Sequence, residues 1–214
     1  MFCVTKFCNF KVITLTLSFL LLSSLLACTT TKVAPPEQPV PPLPGTQYNC
    51  QTGQWCYDDF VKERITPDMR SSDPGIFCPR YKVIGAEMFW PAFEKAVSRA
   101  ESGWNLAKDY TEPFPDNSGK RQISSGLFQI SLDDRSRGGD CADLSPQNIH
   151  GNGKNIACAM TIQNILLGSR PTFQASLGRY WSVIRDNKNP TDSTKEKAVT
   201  LVDTMKKYVP GCFQ

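Results

Sequence analysis

Glu101 is the residue in this sequence whose type and surroundings best suit proton-transfer chemistry. It falls on a helical stripe of mostly apolar residues with spacings of 3, 1, 3, 1 and 3: Phe93, Ala96, Val97, Ala100, Glu101 and Trp104. Among apolar neighbours the charged form of a carboxyl is penalised, so such an acid keeps its proton near neutral pH. A protonated carboxylic acid can then act as a general acid toward a leaving oxygen, such as a glycosidic oxygen.

The chain has one histidine, His150, and this count excludes several classes of enzyme. Serine or cysteine hydrolases with a histidine base, and zinc peptidases, would each have to be built around it. His150 lies in a polar turn, where we expect an exposed side chain. The 24 basic and 20 acidic residues give too little positive charge for nucleic-acid binding. Carboxylate chemistry remains, and the sequence predicts neither a cofactor nor a metal.

Two short motifs carry a resemblance to a known enzyme superfamily. The first is Ala100–Trp104 (AESGW), and the second is Ser125–Ser131 (SGLFQIS), with 20 residues between them. In this order and spacing they resemble the catalytic core of soluble-type bacterial lytic transglycosylases and of goose-type lysozymes, over residues 89–184. The resemblance implies a lysozyme-like α+β fold, mostly helical, with a small β region and disulfide staples. It also implies cleavage of the β-1,4 bond between N-acetylmuramic acid and N-acetylglucosamine in peptidoglycan.

The resemblance also implies roles for individual residues. Glu101 corresponds to the catalytic acid and base, Gln129 lies against the bound glycan, and Tyr180 matches a late tyrosine near the catalytic carboxyl. Ser102 and Ser125 are further candidates for contact with the sugar or with Glu101. Each secondary assignment has a structural alternative: Gln129 could satisfy backbone groups, Tyr180 could pack in the core, Ser102 could cap the helix end and Ser125 could face solvent.

Two reactions are compatible with one catalytic glutamate in this position. In a lytic transglycosylase, which we favour, the same carboxyl protonates the leaving oxygen and then deprotonates the muramoyl 6-hydroxyl, giving a 1,6-anhydro end. A hydrolytic lysozyme (muramidase) needs a second carboxylate, for which Asp133, Asp134 and Asp116 are candidates. A glycan-binding lipoprotein without turnover and a lysozyme inhibitor are further alternatives.

The first 47 residues are predicted to target and tether the protein. Residues 1–27 have two lysines, an apolar run and a lipobox ending at Cys28, which indicates a lipoprotein signal peptide and a lipidated Cys28. Residues 28–47 contain six prolines and form an extended spacer before a domain at 48–214. Thr29 after the anchor resembles lipoproteins sent to the outer membrane. We expect a monomer on its periplasmic face, held by lipid beside its peptidoglycan strands.

Six cysteines remain after the signal peptide and the lipidated residue are removed. An even number in an exported domain predicts three disulfides, with fifteen possible pairings. Their spacing does not form the paired CxxC units of a zinc site. They are Cys50, Cys56, Cys78, Cys141, Cys158 and Cys212.

The elements that position these residues are predicted to be mainly helical. Proline and glycine punctuation predicts loops at 66–80, in the turn-rich stretch after Trp104 and at 133–140. Alternating apolar residues predict a strand at Gly126–Ser131. Apolar periodicity and caps predict helices at Tyr57–Ile65, from Pro91 through the stripe of Glu101, and at Asn155–Leu167, Phe173–Arg185 and Ser193–Lys207.

Overall fold

The structure is a computed structural model that describes residues 54–116, 118–168, 172–185 and 192–214, with secondary structure alone for 192–199. The predicted signal peptide, Cys28, the tether and Cys50 lie outside these residues. Within the described ranges, none of the helices combines the length and apolar character needed to cross a bilayer.

Helices dominate the described chain, so the predicted mostly helical α+β class is confirmed. The helices are α1 (Asp58–Lys62), α2 (Pro67–Ser71), α3 (Tyr81–Ile84), α4 (Ala86–Ser102), α5 (Asn152–Leu167), α6 (Phe173–Leu177) and α7 (Asp192–Tyr208). Short 3-10 turns lie at Gly75–Phe77, Leu132–Arg137, Gly139–Cys141, Ser182–Ile184 and Pro210–Cys212. Of the predicted helices, those at 57–65, 155–167 and 193–207 correspond to α1, α5 and α7. The predicted loop 66–80 contains α2, and the predicted loop 133–140 consists of 3-10 turns.

α4 packs against α1 and α7, and it holds Glu101 as its penultimate residue. The sequence predicts that Pro91 opens this helix, and that prediction is wrong because α4 begins five residues earlier, at Ala86. A proline inside a helix removes one backbone hydrogen bond. Phe89 and Trp90, just before Pro91, are both fully buried in the core, and their packing outweighs the loss of that hydrogen bond.

An aromatic cluster fixes α4 within the core. Ring centroids in this cluster lie 5.1 to 6.0 Å apart, the separation at which aromatic pairs attract one another. The indole nitrogen of Trp90 also donates to the Met69 carbonyl oxygen at 3.1 Å. The end of α4 is therefore presented by a rigid helix. The cluster consists of Phe77, Phe89, Trp90, Phe93 and Phe173.

The sheet has three antiparallel strands in the order β1 (Asp109–Pro115), β2 (Arg121–Ser125) and β3 (Ile130–Ser131). β1 lies in the stretch predicted to be turns, because two of its residues are prolines. Proline is tolerated in β1 because this strand is the edge of the sheet, where an N–H donor is not required. Tyr110 pairs with Ser124, and Ser124 pairs with Ser131, so these three residues form a row across one face.

The predicted strand at Gly126–Ser131 is largely a tight turn. Only Ile130 and Ser131 belong to a strand, and residues 126–129 form the turn between β2 and β3. Gly126 has φ of 76° and Gln129 has φ of 51°, which a strand does not allow. Leu127 and Phe128 are buried in the turn, so its apolar pattern imitates that of a buried strand.

The predicted helix at Phe173–Arg185 is shorter than expected. α6 ends at Leu177, and a 3-10 turn follows at Ser182–Ile184. Gly178 lies so close to the Gln174 carbonyl oxygen and the Arg185 backbone that a side chain would not fit, at 2.5 and 2.9 Å from a Cβ. The chain therefore folds back at Gly178, which places Tyr180 and Trp181 outside any helix.

Disulfides staple the domain, as the cysteine count predicts. Cys78 is bonded to Cys212, and Cys141 is bonded to Cys158. Cys56 is also disulfide-bonded. The Cys78–Cys212 disulfide joins the segment before α3 to the last residues of the chain. The Cys141–Cys158 disulfide joins the end of the 3-10 turn Gly139–Cys141 to α5.

Candidate functional site

The end of α4 holds Glu101 at the edge of the core. The helix stops here because Gly103 adopts a left-handed conformation with φ of 67°. Ser102 is buried, and its hydroxyl donates to the Ser98 carbonyl oxygen at 2.9 Å. This contact favours the structural alternative for Ser102, in which its hydroxyl stabilises the end of the helix. Glu101 is half-buried, so its carboxyl is less enclosed than the sequence predicts.

Trp104 lies after α4 and not on it, contrary to the prediction. Its φ is 64°, and its indole nitrogen donates back to the Lys95 carbonyl oxygen at 3.0 Å. The guanidinium of Arg99 lies 5.3 Å from the centre of its ring. The indole therefore packs along the side of α4 that carries Lys95 and Arg99.

Lys108 connects the end of α4 to the turn between β2 and β3. Its ammonium group donates to the Glu101 carbonyl oxygen at 2.6 Å. Its own carbonyl oxygen accepts hydrogen bonds from the Gly126 backbone at 2.8 Å and from the Gln129 side chain at 3.1 Å. The two motifs singled out in the sequence are thus joined through one intervening residue.

Asn155 of α5 holds the same turn from the opposite side. Its amide nitrogen donates to the carbonyl oxygens of Ser125 and Ile149, at 3.0 and 2.8 Å, and its oxygen accepts from the Phe128 backbone at 2.9 Å. A Cβ on Gly126 would lie 2.4 Å from that amide nitrogen, so only glycine fits here. The sequence pattern predicts Asn155 only as the start of a helix and gives no signal for these contacts with the turn.

Gln129 and Ser125, both predicted to contact the glycan, have structural roles in the turn between β2 and β3. The amide nitrogen of Gln129 donates to the carbonyl oxygens of Lys108 and Gly126, the latter at 2.7 Å. Its Oε1 is buried without a hydrogen-bond partner among the described residues. Ser125 is buried as well, so the structural alternative in which it faces solvent is wrong. Both residues support the turn from inside.

Tyr180 is anchored to Asp134 beside β3. The tyrosine hydroxyl donates to a carboxylate oxygen of Asp134, which also accepts from the Ser131 backbone at 2.9 Å. Arg137 pairs with the other carboxylate oxygen at 2.7 Å and lies over the Tyr180 ring. Burial of the hydroxyl end, followed by the nearby Asp134 charge, raises the pKa of Tyr180 well above its usual value. Tyr180 therefore remains a neutral hydrogen-bond donor.

These contacts change the interpretation of the predicted second carboxylates. Asp134 is 6% exposed and both of its oxygens are engaged, so it positions Tyr180 and is not open to a water molecule. Asp116 lies in the β1–β2 turn, where its side chain accepts from Ser118 and Lys120 and the Ser118 hydroxyl lowers its pKa. Asp133 is half-buried in the same 3-10 turn as Asp134.

The sequence predicts an exposed His150, but in the structure its imidazole makes two polar contacts. Its Nδ1 lies 2.9 Å from the Leu106 carbonyl oxygen, which requires a proton on this nitrogen. Its Nε2 lies 3.4 Å from a carboxylate oxygen of Asp109. The histidine thus ties the loop before α5 to the segment that leads from α4 into β1.

Glu112 of β1 is a carboxylate near the candidate site that was not predicted from the sequence. Its Oε1 accepts a hydrogen bond from the Ser124 hydroxyl at 2.6 Å. It therefore lies on the face of the sheet that carries the row Tyr110, Ser124 and Ser131. Tyr110, Glu112 and Phe114 alternate along the sequence as strand residues do, but Pro113 and Pro115 concealed this signal.

The fully hidden acid of α4 is Glu94, two turns before Glu101. Glu94 has no solvent exposure, and it accepts a hydrogen bond from the Gln163 amide of α5 at 3.0 Å. Burial raises the pKa of Glu94 to about 8, although the Gln163 bond partly opposes this shift. Glu94 has the protonation state that the sequence assigned to Glu101, but it has no access to a substrate.

The part of the chain that the structure describes contains no group of three or more His, Cys, Asp or Glu side chains able to hold a metal ion. Neither a family model nor a curated protein matches the sequence. Solved structures of the Bdellovibrio protein Bd0314 DslA do match the fold. The wild-type form has a TM-score of 0.58 and 23% identity, and the match covers 72% of this chain and 89% of DslA. Two further matching structures are glutamate-to-glutamine variants of DslA, with TM-scores of 0.58 and 0.57.

Proposed function

We propose that this protein cleaves the β-1,4 bond between N-acetylmuramic acid and N-acetylglucosamine in peptidoglycan, as a lytic transglycosylase of lysozyme-like fold. The observation that carries the proposal is the link from the end of α4 to the β2–β3 turn through Lys108. It brings Glu101 to the edge of the sheet, where an extended glycan could reach it. The motif resemblance supports the same assignment.

The chemistry needs one carboxyl that changes protonation state during the cycle. Glu101 first donates its proton to the glycosidic oxygen, and the bond to the muramoyl C1 breaks through an oxocarbenium-like state. The resulting carboxylate then accepts the proton of the muramoyl 6-hydroxyl as this oxygen bonds to C1.

A hydrolytic lysozyme is the second candidate, and Glu112 supports it. The glutamates replaced in the two DslA variants are eleven residues apart. Glu101 and Glu112 are also eleven residues apart, and no other two glutamates in this chain have that spacing. In this candidate Glu112, in place of Asp134, would be the carboxylate that supports a water molecule or an intermediate.

Mass analysis of the muropeptides released from purified peptidoglycan tests both candidates. The transglycosylase predicts 1,6-anhydro products, and hydrolysis predicts products heavier by one water. If hydrolysis is observed, Glu112→Gln should suppress it. Peptidoglycan that is bound but releases no product would instead indicate the glycan-binding alternative and would reject an enzymatic function.

We also propose that Cys28 carries lipid that holds the protein at the periplasmic face of the outer membrane, as a monomer next to its glycan substrate. When cells are grown with a labelled fatty acid, the full-length protein should become labelled. The labelled protein should fractionate with outer membranes. Cys28→Ser should remove both the label and the membrane association. Retention of label in that variant would contradict the assignment.

A further inference from the structure

Two cations lie one helical turn apart on α4, and both contact aromatic rings. The guanidinium of Arg99 lies 5.3 Å from the centre of the Trp104 ring, and it donates to the Tyr208 hydroxyl at 3.0 Å. The ammonium of Lys95 lies 4.6 Å from the centre of the Tyr208 ring. Such contacts are attractive, so the rings hold both charged groups on one side of α4. We call the surface formed by Lys95, Arg99, Trp104 and Tyr208 the cationic face.

The cationic face carries positive charge that no described carboxylate neutralises. Among the side chains that the structure describes, none forms an ion pair with Lys95 or Arg99. Arg99 is exposed and Lys95 is half-buried, so a solute can reach both. Like charges four residues apart on a helix repel one another. An anion between the two groups would be attracted by both and would relieve that repulsion.

The cationic face and Glu101 lie on opposite sides of the same helix end. Successive helical residues turn by about 100°, so the side chains of Arg99 and Glu101 leave α4 about 200° apart. A helix with its side chains is about 10–12 Å across. Gly103 ends α4, and a Cβ at this residue would meet nothing within 4 Å, so the surface at the helix end is open. An extended peptide of four residues spans about 13 Å and can cross it.

The chemistry of the cationic face favours a small carboxylate ligand. A guanidinium binds a carboxylate through directed N–H bonds, and a neighbouring ammonium adds a second charge. In the proposed substrate, muramic acid carries a short peptide stem with free carboxylates. An anionic bilayer is a poorer match, because Trp104 and Tyr208 are half-buried and do not protrude to enter a lipid interface.

We propose that the cationic face binds the carboxylates of a peptide stem on the muramic acid at the reacting site, with Arg99 and Lys95 as the binding groups. The stem crosses the end of α4 at Gly103, and the two rings keep the cations in place. This inference rests on the proposed function and adds a preference to it, because glycan that carries peptide stems is bound more tightly than bare glycan.

The test compares two ligands in a Glu101→Gln background, so that neither is consumed. One is a soluble, uncrosslinked peptidoglycan fragment with its stems, and the other is the same fragment after an amidase has removed them. Replacing both Lys95 and Arg99 by Gln should weaken binding of the stem-bearing fragment by about fourfold to 25-fold, at about twofold to fivefold for each exposed ion pair. Binding of the bare fragment should not change, which also verifies that the variant is folded.

The matched control replaces Lys62 and Arg64 by Gln, which removes the same charge elsewhere. Arg64 also lies over an aromatic ring, that of Phe60, at 3.6 Å. Lys62 and Arg64 already have carboxylate partners, Asp59 at 3.0 Å and Glu63 at 3.9 Å. This control should bind both fragments as the background does.

Three outcomes would overturn the stem site while leaving cleavage by the wild type intact. The first is unchanged binding of the stem-bearing fragment by the Lys95 and Arg99 double variant, and the second is equal weakening of both fragments. The third is loss of binding to phosphatidylglycerol vesicles without loss of stem binding, which would assign the face to a membrane. If the wild type releases no muropeptides and the background binds neither fragment, the proposed function itself fails, and the stem site fails with it.

Discussion

The middle and the end of α4 each hold a glutamate, in opposite circumstances. Glu94 is fully enclosed, bonded to Gln163, and its pKa is raised to about 8. Glu101 lies two turns further along the same face, half-buried, where Lys108 joins its backbone to the sheet. Enclosure alone keeps an acid protonated, but an acid at the edge of the core can also reach a substrate. One helix thus separates a structural acid from the proposed reacting acid.

The largest expected effect separates these two glutamates by activity. Glu101→Gln should lower the initial rate of muropeptide release by about 10²–10⁴-fold, because general acid–base catalysis is lost. Glu94→Gln should stay within about twofold, because a neutral amide replaces a neutral acid. Glu87→Gln, on the exposed side of α4, is the control for the substitution itself. If Glu94→Gln were inactive and Glu101→Gln were active, Glu94 and not Glu101 would be the reacting acid.

The end of α4 is expected to function only against an intact turn, which Asn155→Ala would break. The change leaves the Phe128 N–H and the Ser125 and Ile149 carbonyl groups without their partner. We expect a loss of about 2–4 kcal/mol in the free energy of unfolding, measured by denaturant titration. Asn148→Ala, which removes an amide in the neighbouring loop, should cost less. Equal losses would show that the turn does not depend on Asn155.

The pH dependence of stability should report on Glu94. Its pKa is about 8 in the folded protein, against 4.5 as its ordinary value. The folded state therefore keeps a proton that the unfolded chain releases, so this stabilising contribution is complete below pH 4.5 and is lost as the pH rises through 8. Glu94→Gln should remove that part of the pH dependence, with roughly 2–4 °C in Tm for each kcal/mol.

The control for this measurement is Glu87→Gln, because the Arg70 bond lowers the pKa of Glu87 and its titration falls at acidic pH. Between pH 6 and pH 9, its Tm profile should parallel that of the wild type. A Glu94→Gln profile that also parallels the wild type over this range would contradict the raised pKa of Glu94.

The smallest expected effect concerns the link between α4 and the turn. Lys108→Met removes the bond to the Glu101 carbonyl oxygen but keeps the backbone groups that Gly126 and Gln129 contact. We expect kcat to fall by about tenfold, the equivalent of one charged hydrogen bond. Lys62→Met, in an exposed pair with Asp59, should leave kcat unchanged. Equal kcat values for the two variants would show that the link does not position Glu101.

Sequence periodicity predicts the helices well where an apolar face meets the core. α1, α5 and α7 follow from their patterns, as does the C-terminal half of α4. The start of α4 does not, because the packing of Phe89 and Trp90 overrides the usual preference of proline for a first turn. Gly178 ends α6 through a close backbone approach that only the folded chain reveals.

The β region and the surroundings of the site are predicted less well. The apolar residues of the 126–129 turn are buried by long-range contacts with Asn155 and Trp181, so local alternation indicates a strand wrongly. β1 was missed because Pro113 and Pro115 are tolerated at an edge, and Glu112 was missed with it. The stripe that places apolar residues around Glu101 also hid Glu94, whose burial depends on α5.

A crystal structure of the Glu101→Gln variant with a bound peptidoglycan oligomer would show whether Glu101 is the proton donor. We expect a glycosidic oxygen within about 2.6–3.2 Å of the side chain at position 101, the distance needed for proton transfer. A glycan bound elsewhere, with no glycosidic oxygen near position 101, would contradict Glu101 as the proton donor.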